Sequence, residues 1–179
     1  MKSWLYRLRY VLVLSLVLVV ACTLIPLERT LPEAITAIDV PMFKNLTYEP
    51  GIEELITNYT IENFLADGRL TVVQKGVADA RVEGTVTAYT VSVSSFASDD
   101  FPMMSTAEAT AKVTVWQPQK PEAPIAEFSD IHAVIAYVGD PRSTVYENVV
   151  EVKERLFKNL ASNIVTMVMT GPYPSEAEK

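Results

Sequence analysis

Cysteine, histidine and glycine are all scarce in this chain: its 179 residues include one cysteine, one histidine and six glycines. One cysteine cannot form an intramolecular disulfide or a cysteine zinc cluster. The glycines are scattered singly, so neither a P-loop nor a G-x-G-x-x-G nucleotide motif is present. A serine triad would need His132, which lies in an apparent strand, and no G-x-S-x-G motif accompanies it. We therefore predict no catalytic residue, no enzymatic activity and no cofactor other than a covalent lipid.

Asp99 and Asp100 form the remaining candidate for chemistry. The pair lies in a predicted loop with Pro102 and two methionines, where metal binding is possible but a solvated turn suits the pattern better. A membrane-tethered hydrolase would have to use His132 or Asp99. We predict no metal site.

Basic residues are also few, with 15 Lys and Arg against 22 Asp and Glu. Three of them, Lys2, Arg7 and Arg9, precede the apolar N-terminal run, which leaves 12 basic and 22 acidic residues in the remainder. A chain of this charge is not expected to bind nucleic acid.

The single cysteine ends the most apolar stretch of the sequence. A basic segment is followed by the apolar run Tyr10 to Ala21 and then by Cys22, a pattern typical of a secretory signal. The residues Val19-Val20-Ala21-Cys22 resemble a bacterial lipobox, in which the thiol receives diacylglycerol before the signal peptide is cleaved. We therefore predict a signal peptide at 1–21 and a lipid on Cys22. In enteric bacteria, an aspartate directly after the lipidated cysteine commonly retains a lipoprotein at the inner membrane. Thr23 occupies that position here, so we predict a lipid-anchored protein on the periplasmic side of the outer membrane.

An uncleaved membrane helix is the alternative for this segment. The apolar stretch from Tyr10 to Ile25 approaches the roughly 20 residues that a span requires, and Pro26 ends it. That alternative leaves the position of Cys22 unexplained.

The rest of the chain predicts a lipidated tether (22–33), one domain (34–170) and a polar tail (171–179). Alternating residues around Ile38 indicate a strand, and Pro50-Gly51 and Asp67-Gly68 mark the ends of a first helix. Its predicted apolar stripe comprises Ile52, Leu55, Ile56, Tyr59, Phe64 and Leu65. Further strands are predicted at Leu70–Gln74, Ala80–Ser94, Ser105–Trp116 and Ile131–Val138. A change of parity near Ala88 indicates a bulge. The small side chains of Ala107, Ala109 and Ala111 share an inner face, where they leave room for a helix packed close to the sheet.

A long C-terminal helix completes the pattern. Thr144-x-x-Glu147 resembles a capping box, and the apolar stripe that follows comprises Val149, Val152, Leu156, Leu160, Ile164 and Met167. The predicted class is α+β, with two helices packed on one face of a mostly antiparallel four- to five-stranded sheet.

The run AIDVPMFKNLTYEPGIEELITNYTIENFLADGRLTVV, followed by ADARVEGTVTAYTV, resembles the LptE family of lipopolysaccharide-assembly lipoproteins. The matching positions are Cys22, Phe43 with Asn45 and Thr47, Pro50 with Gly51, Ala78-Asp79 with Gly84, and Trp116 before a final helix. Their physical roles are structural: Asp79 would cap the entry to a strand, and Gly84 would admit a helix close to the sheet.

The resemblance implies a non-enzymatic partner protein that plugs the LptD β-barrel in the outer membrane, helps it assemble and takes part in delivering lipopolysaccharide to the cell surface. It also directs attention to the predicted loop Ser94–Met104, which has two acids and no base. We expect its apolar residues to contact the barrel or acyl chains, and we assign any lipopolysaccharide phosphate contact to bases elsewhere, Lys112 or Arg142. The apolar residues are Phe96, Phe101, Met103 and Met104. A lipid-anchored periplasmic binding or scaffold module without a barrel partner is the alternative function.

Overall fold

The computed structural model describes residues 30–74, 76–97, 101–119 and 122–173. The predicted signal peptide, Cys22 and Asp99-Asp100 lie outside the described residues, as do the tether up to residue 29 and the tail from residue 174. Within the described ranges, no helix is long and apolar enough to cross a membrane.

The described chain forms six strands and two helices. Their order is β1 (Ala37–Asp39), β2 (Lys44–Asn45), α1 (Ile52–Asp67), β3 (Thr71–Val72), β4 (Ala80–Phe96), β5 (Pro102–Trp116), β6 (Ala126–Val138) and α2 (Val149–Thr170).

All six strands belong to one sheet, in the order β3-β1-β4-β5-β6, with β2 beside β4. The three long strands β4, β5 and β6 pair antiparallel, whereas the short strands β1, β2 and β3 make parallel pairs. The α+β class is confirmed. The sheet has one more strand than the upper limit expected, because two of its strands are only two residues long and give no readable alternation.

The core lies between the helices and one face of the sheet. α2 packs against α1, β5 and β6. Ala107, Ala109 and Ala111 of β5 are fully or almost fully buried, and their small side chains let the helix lie close, as the sequence predicts. Leu156 and Leu160 of α2 are completely buried, which confirms the predicted helical face at these two positions.

Three details of the helices differ from the sequence-based predictions. Val149, predicted to begin the apolar stripe of α2, is 47% exposed. The N-cap of α2 is Asn148, whose side-chain oxygen accepts a hydrogen bond from Val150 N at 2.9 Å. Thr144 precedes this cap by four residues, so the predicted capping box is wrong. In α1, Leu65 is 59% exposed and lies outside the buried stripe, whereas Thr60 is completely buried and donates its hydroxyl to Ile56 O. The back-bonded hydroxyl explains how a polar residue enters the core.

Gly84 is covered by an aromatic ring and not by a helix. A Cβ atom at this glycine would overlap the ring of Phe43, which is 2% exposed and belongs to the segment between β1 and β2. The expectation that Gly84 admits a helix is therefore wrong. Gly84 instead allows the ring of Phe43 to approach the backbone of β4 closely.

Asp79 joins the entries to β1 and β4. Its carboxylate accepts hydrogen bonds from Thr36 N and Ala37 N, both at 2.9 Å, and from the hydroxyl of Thr36 at 3.0 Å. These donors favour the charged form and lower the pKa of Asp79. The cap predicted for this residue thus fixes two parallel strands at their first residues.

Candidate functional site

The end of the β4–β5 hairpin carries most of the residues predicted for partner contact. The two strands remain paired as far as Phe96 and Pro102, and Ala97 N donates to Phe101 O at 2.8 Å. The connection is therefore only residues 97–101, shorter than the predicted loop. Phe96, Met103 and Met104 lie on strands, because the extended pairing of β4 and β5 continues past the last clear alternation in the sequence.

We call Phe96, Phe101 and Met103 the hairpin tip. Their exposed fractions are 59%, 37% and 44%, whereas Met104 is half-buried. The start of α2 lies at the same end of the molecule, since Val138 pairs with Met104 and accepts a hydrogen bond from Glu147 N. Exposed apolar side chains gathered at one end are typical of an interaction surface.

Arg142 lies beside the hairpin tip, against Phe101. Its guanidinium carbon lies 4.2 Å from the ring centroid of Phe101, a cation–π geometry. Asp140 holds the same group through two hydrogen bonds, Nε to Oδ1 at 2.9 Å and Nη2 to Oδ2 at 3.0 Å. Arg142 therefore presents a fixed, half-exposed guanidinium beside an apolar ring, a combination that suits the boundary between phosphate and acyl chains.

Lys112 lies elsewhere, on the open face of the sheet. It is nine residues along β5 from Met103 of the hairpin tip, about 30 Å away, and it forms an ion pair with Glu127. The structure therefore does not bring Lys112 and Arg142 into one site.

A groove of about 350 Å³ surrounds Lys112 on that open face. Strand register places Lys44 beside Thr85 and Thr85 beside Lys112, so two lysines flank one hydroxyl across three strands. Lys44 was missed in the sequence, because β2 is two residues long and gives no strand signal. Lys44 directly follows Phe43. Because neighbouring residues of a strand face opposite sides of the sheet, an inward Phe43 would have predicted an outward Lys44.

Among the described residues, no group of three or more His, Cys, Asp or Glu side chains could hold a metal ion. His132 is exposed on β6, with Nδ1 3.2 Å from Asp130 O.

Two solved structures with TM-scores above 0.5 support this fold. The protein XCC0632 from Xanthomonas campestris matches with a TM-score of 0.56 at 10% identity, covering 80% of this chain and 89% of that one. The hypothetical protein CT253 from Chlamydia trachomatis matches with a TM-score of 0.52 at 8% identity, covering 75% of this chain and 98% of that one. The rare lipoprotein B from Shewanella oneidensis gives 0.47 at 13% identity, with coverage of 74% and 90%.

At these identities the first two likenesses show the fold alone. No curated protein sequence matches the chain. A family model does: that of LptE, described as lipopolysaccharide-assembly, matches residues 35–168. This range includes both helices except the last two residues of α2, all six strands and the hairpin tip. The chain therefore belongs to the LptE family of lipopolysaccharide assembly.

Proposed function

We propose that this protein is an outer-membrane lipoprotein that plugs an LptD-type β-barrel, helps it assemble and takes part in delivering lipopolysaccharide to the cell surface. Family membership supports a role in lipopolysaccharide assembly. The lipobox-like residues before Cys22 support a lipid anchor.

The observation that carries the proposal is the arrangement of the two ends of the domain. Thr30, the first described residue, lies within the predicted tether 22–33, and it donates from its N–H to Met169 O at 3.0 Å and from its hydroxyl to Gly171 O at 2.6 Å. The tether therefore joins the domain at the C-terminal end of α2. The hairpin tip lies at the opposite end of this 22-residue helix, about 33 Å away.

This separation suits a protein that is anchored at one end and inserted into a partner at the other. The open face of the sheet, between these ends, exposes hydroxyl groups from Thr85, Thr87 and Thr114 along the groove. Such a face is compatible with the polar interior of a barrel. A polar face of this kind is equally compatible with water. A periplasmic scaffold without a barrel partner is therefore the second candidate function.

Copurification distinguishes the two candidates. The full chain, extracted from membranes in mild detergent, should recover a heat-modifiable barrel in stoichiometric amount if it is a plug. Recovery of the lipoprotein alone would favour the scaffold.

Photocrosslinkers test the two contact regions separately. We expect a crosslinker at Phe101 to capture the barrel and one at Lys112 to capture lipopolysaccharide. Leu65, an exposed apolar residue of α1, provides a matched control for Phe101. Capture at neither position, or equal capture at Leu65, would contradict the assignment of these contacts while leaving the family unchanged.

A further inference from the structure

A cavity of about 280 Å³ lies at the end of the sheet where β4 begins and β5 ends. Arg81 and Trp116 are cross-strand neighbours there, and they lie on the open face of the sheet, since the adjacent Val82 and Val115 are completely buried on the other face. The lining is mostly small or apolar, and it comprises Asp39, Gly76, Ala78, Arg81, Trp116, Gln117 and Pro118.

The cavity lies at the same end of the domain as the tether. Gly171, whose carbonyl oxygen accepts from the hydroxyl of Thr30, lies directly beside the ring of Phe128. Phe128 pairs with Val113, three residues before the end of β5. Eight residues separate Thr30 from Cys22 and span at most about 28 Å. A lipid on Cys22 therefore keeps this end of the domain, which we call the tether end, close to the bilayer.

An exposed valine lies beside the cavity. Val77 is 72% exposed, and its two chain neighbours, Gly76 and Ala78, both line the cavity. The turn that carries it is closed by a bond from Val77 N to Gln74 O at 3.4 Å. Gly76 adopts a φ of 104° in this turn, a backbone conformation that favours glycine. The turn thus presents an apolar side chain to solvent at the tether end.

Two N–H groups of the residues that line the cavity have no acceptor. Nε1 of Trp116 and Nε of Arg81 are buried and form no hydrogen bond with the described part of the chain. Arg81 Nε lies 3.2 Å from Glu83 Oε1 and 3.6 Å from Asp39 Oδ2, so its charge is balanced although the N–H itself is not bonded. A buried N–H without an acceptor costs free energy. Oxygen atoms of another molecule, bound beside these two side chains, would stabilise this end of the sheet.

We propose that the tether end of the anchored protein, before a barrel partner binds, lies on the phospholipid leaflet that holds its lipid, with part of one phospholipid in the cavity; this inference rests on the lipid anchor of the proposed function. Tryptophan is enriched at membrane interfaces because its ring is apolar and its N–H needs an acceptor. A phospholipid supplies both partners, since its ester oxygens accept hydrogen bonds and its acyl chains suit the apolar walls. The cavity is about twice as large as a 150 Å³ cavity that binds benzene, so it accommodates a segment of one chain.

The charges beside the cavity favour a lipid without net charge. Asp39 and Glu83 together outnumber Arg81, with which both form ion pairs, so an anionic headgroup gains no attraction here. The contact therefore depends on apolar burial and hydrogen bonds, which salt screens little. It is also small. It orients the domain on the leaflet and does not replace the lipid anchor, which supplies the membrane affinity.

Tryptophan fluorescence tests the contact directly, because Trp4 and Trp116 are the only tryptophans of the chain. Trp4→Phe leaves Trp116 as the single reporter, whether or not the predicted signal peptide is removed. The lipidated protein is reconstituted into phosphatidylcholine vesicles that contain no barrel. We expect phosphatidylcholine brominated near the ester end of its acyl chains to quench Trp116, and to quench it more than lipid brominated near the methyl end. The quenching should be the same at about 0.1 M and 1 M salt.

Val134 provides the matched controls. It is 51% exposed on β6 and pairs with Glu108, eight residues along β5 from Trp116 and thus about 26 Å away. Val77→Asp should reduce the quenching of Trp116, whereas Val134→Asp should leave it unchanged. Val134→Trp, combined with Trp116→Phe, places the reporter away from the tether end and should not be quenched. Circular dichroism of each purified variant checks its folding.

The outcomes separate the contact from the anchor. Vesicle-bound protein in which Trp116 is not quenched, or is quenched no more than the Val134→Trp reporter, would refute the membrane contact while the anchor stands. Equal effects of Val77→Asp and Val134→Asp would refute it as well. Protein that carries no lipid and does not bind vesicles would overturn both the anchor and the contact.

Discussion

Gly84 and Phe43 form a residue-scale contact that admits no larger side chain. Because a Cβ at Gly84 would overlap the buried Phe43 ring, Gly84→Ala should destabilise the protein by about 1–3 kcal/mol. Gly139→Ala is the control, since the nearest atom to its added Cβ is the hydroxyl of Ser105 at 3.1 Å. Urea unfolding measures both. Adding Phe43→Leu should recover part of the loss, and strictly additive effects would contradict this contact.

Asp79 gives the residue-scale prediction for pH. Its hydrogen bonds lower its pKa from the usual 3.8, so its contribution is fully present above that value and is lost as pH falls through the lower folded-state pKa. Asp79→Asn, which resembles the protonated form, should therefore have a lower urea midpoint than wild type at pH 7.

The difference in urea midpoint between Asp79→Asn and wild type should narrow as the pH falls from 7 to below 3.8. Glu108→Gln, an exposed change on β5, controls for the loss of one negative charge. The urea midpoints of Asp79→Asn and wild type could instead differ by the same amount at pH 7 and at low pH. That result would show that the charge of Asp79 does not stabilise the entries to β1 and β4.

At the scale of elements, the sequence predicts best the strands and helices that are long enough to show a hydrophobic period. The long strands, the bulge near Ala88 and both helices follow from alternation and from helical spacing, and all are present. β2 and β3 have no such signal because two residues cannot show a period. The cap of α2 was misplaced because Thr144 and Asn148 are both good capping residues, and tertiary contacts decide between them. The bond from Glu147 N to Val138 O fixes the chain just before Asn148.

The buried face of α2 provides the element-scale prediction. Leu160→Ala should destabilise the protein by about 2–5 kcal/mol, because Leu160 is completely buried in a helix that packs against β5 and β6. Leu65→Ala, a matched change at the exposed leucine of α1, should stay within about 0.5 kcal/mol. Thermal or urea unfolding of the pair measures the difference. Similar losses for both leucines would contradict the assigned faces.

At the scale of the whole molecule, the candidate site could be predicted only in part. Phe101 and Arg142 are 41 residues apart in the sequence and meet at one end of the sheet, a contact that no local pattern encodes. The unpaired side of β4 after Val86 could not be predicted either, because it depends on where β2 leaves β4. The part of β4 after Val86 has no charged residue, but only the strand order shows that it is a sheet edge.

The anchor is the last property that belongs to the whole molecule. Thr30, which is bonded to Met169 and Gly171, follows Cys22 by eight residues, and we expect the lipid on Cys22 to contribute nothing to the stability of the domain. Cys22→Ala should therefore abolish lipidation and move the protein out of the membrane fraction, with a melting temperature for the domain within about 2 °C of the wild type's. Thr23→Ala, a neighbouring change that keeps the thiol, should remain membrane-bound. Intact mass spectrometry should find a wild-type chain that begins at Cys22 and carries acyl groups, and a mature form that retains Lys2 to Ala21 would rule out the lipoprotein signal.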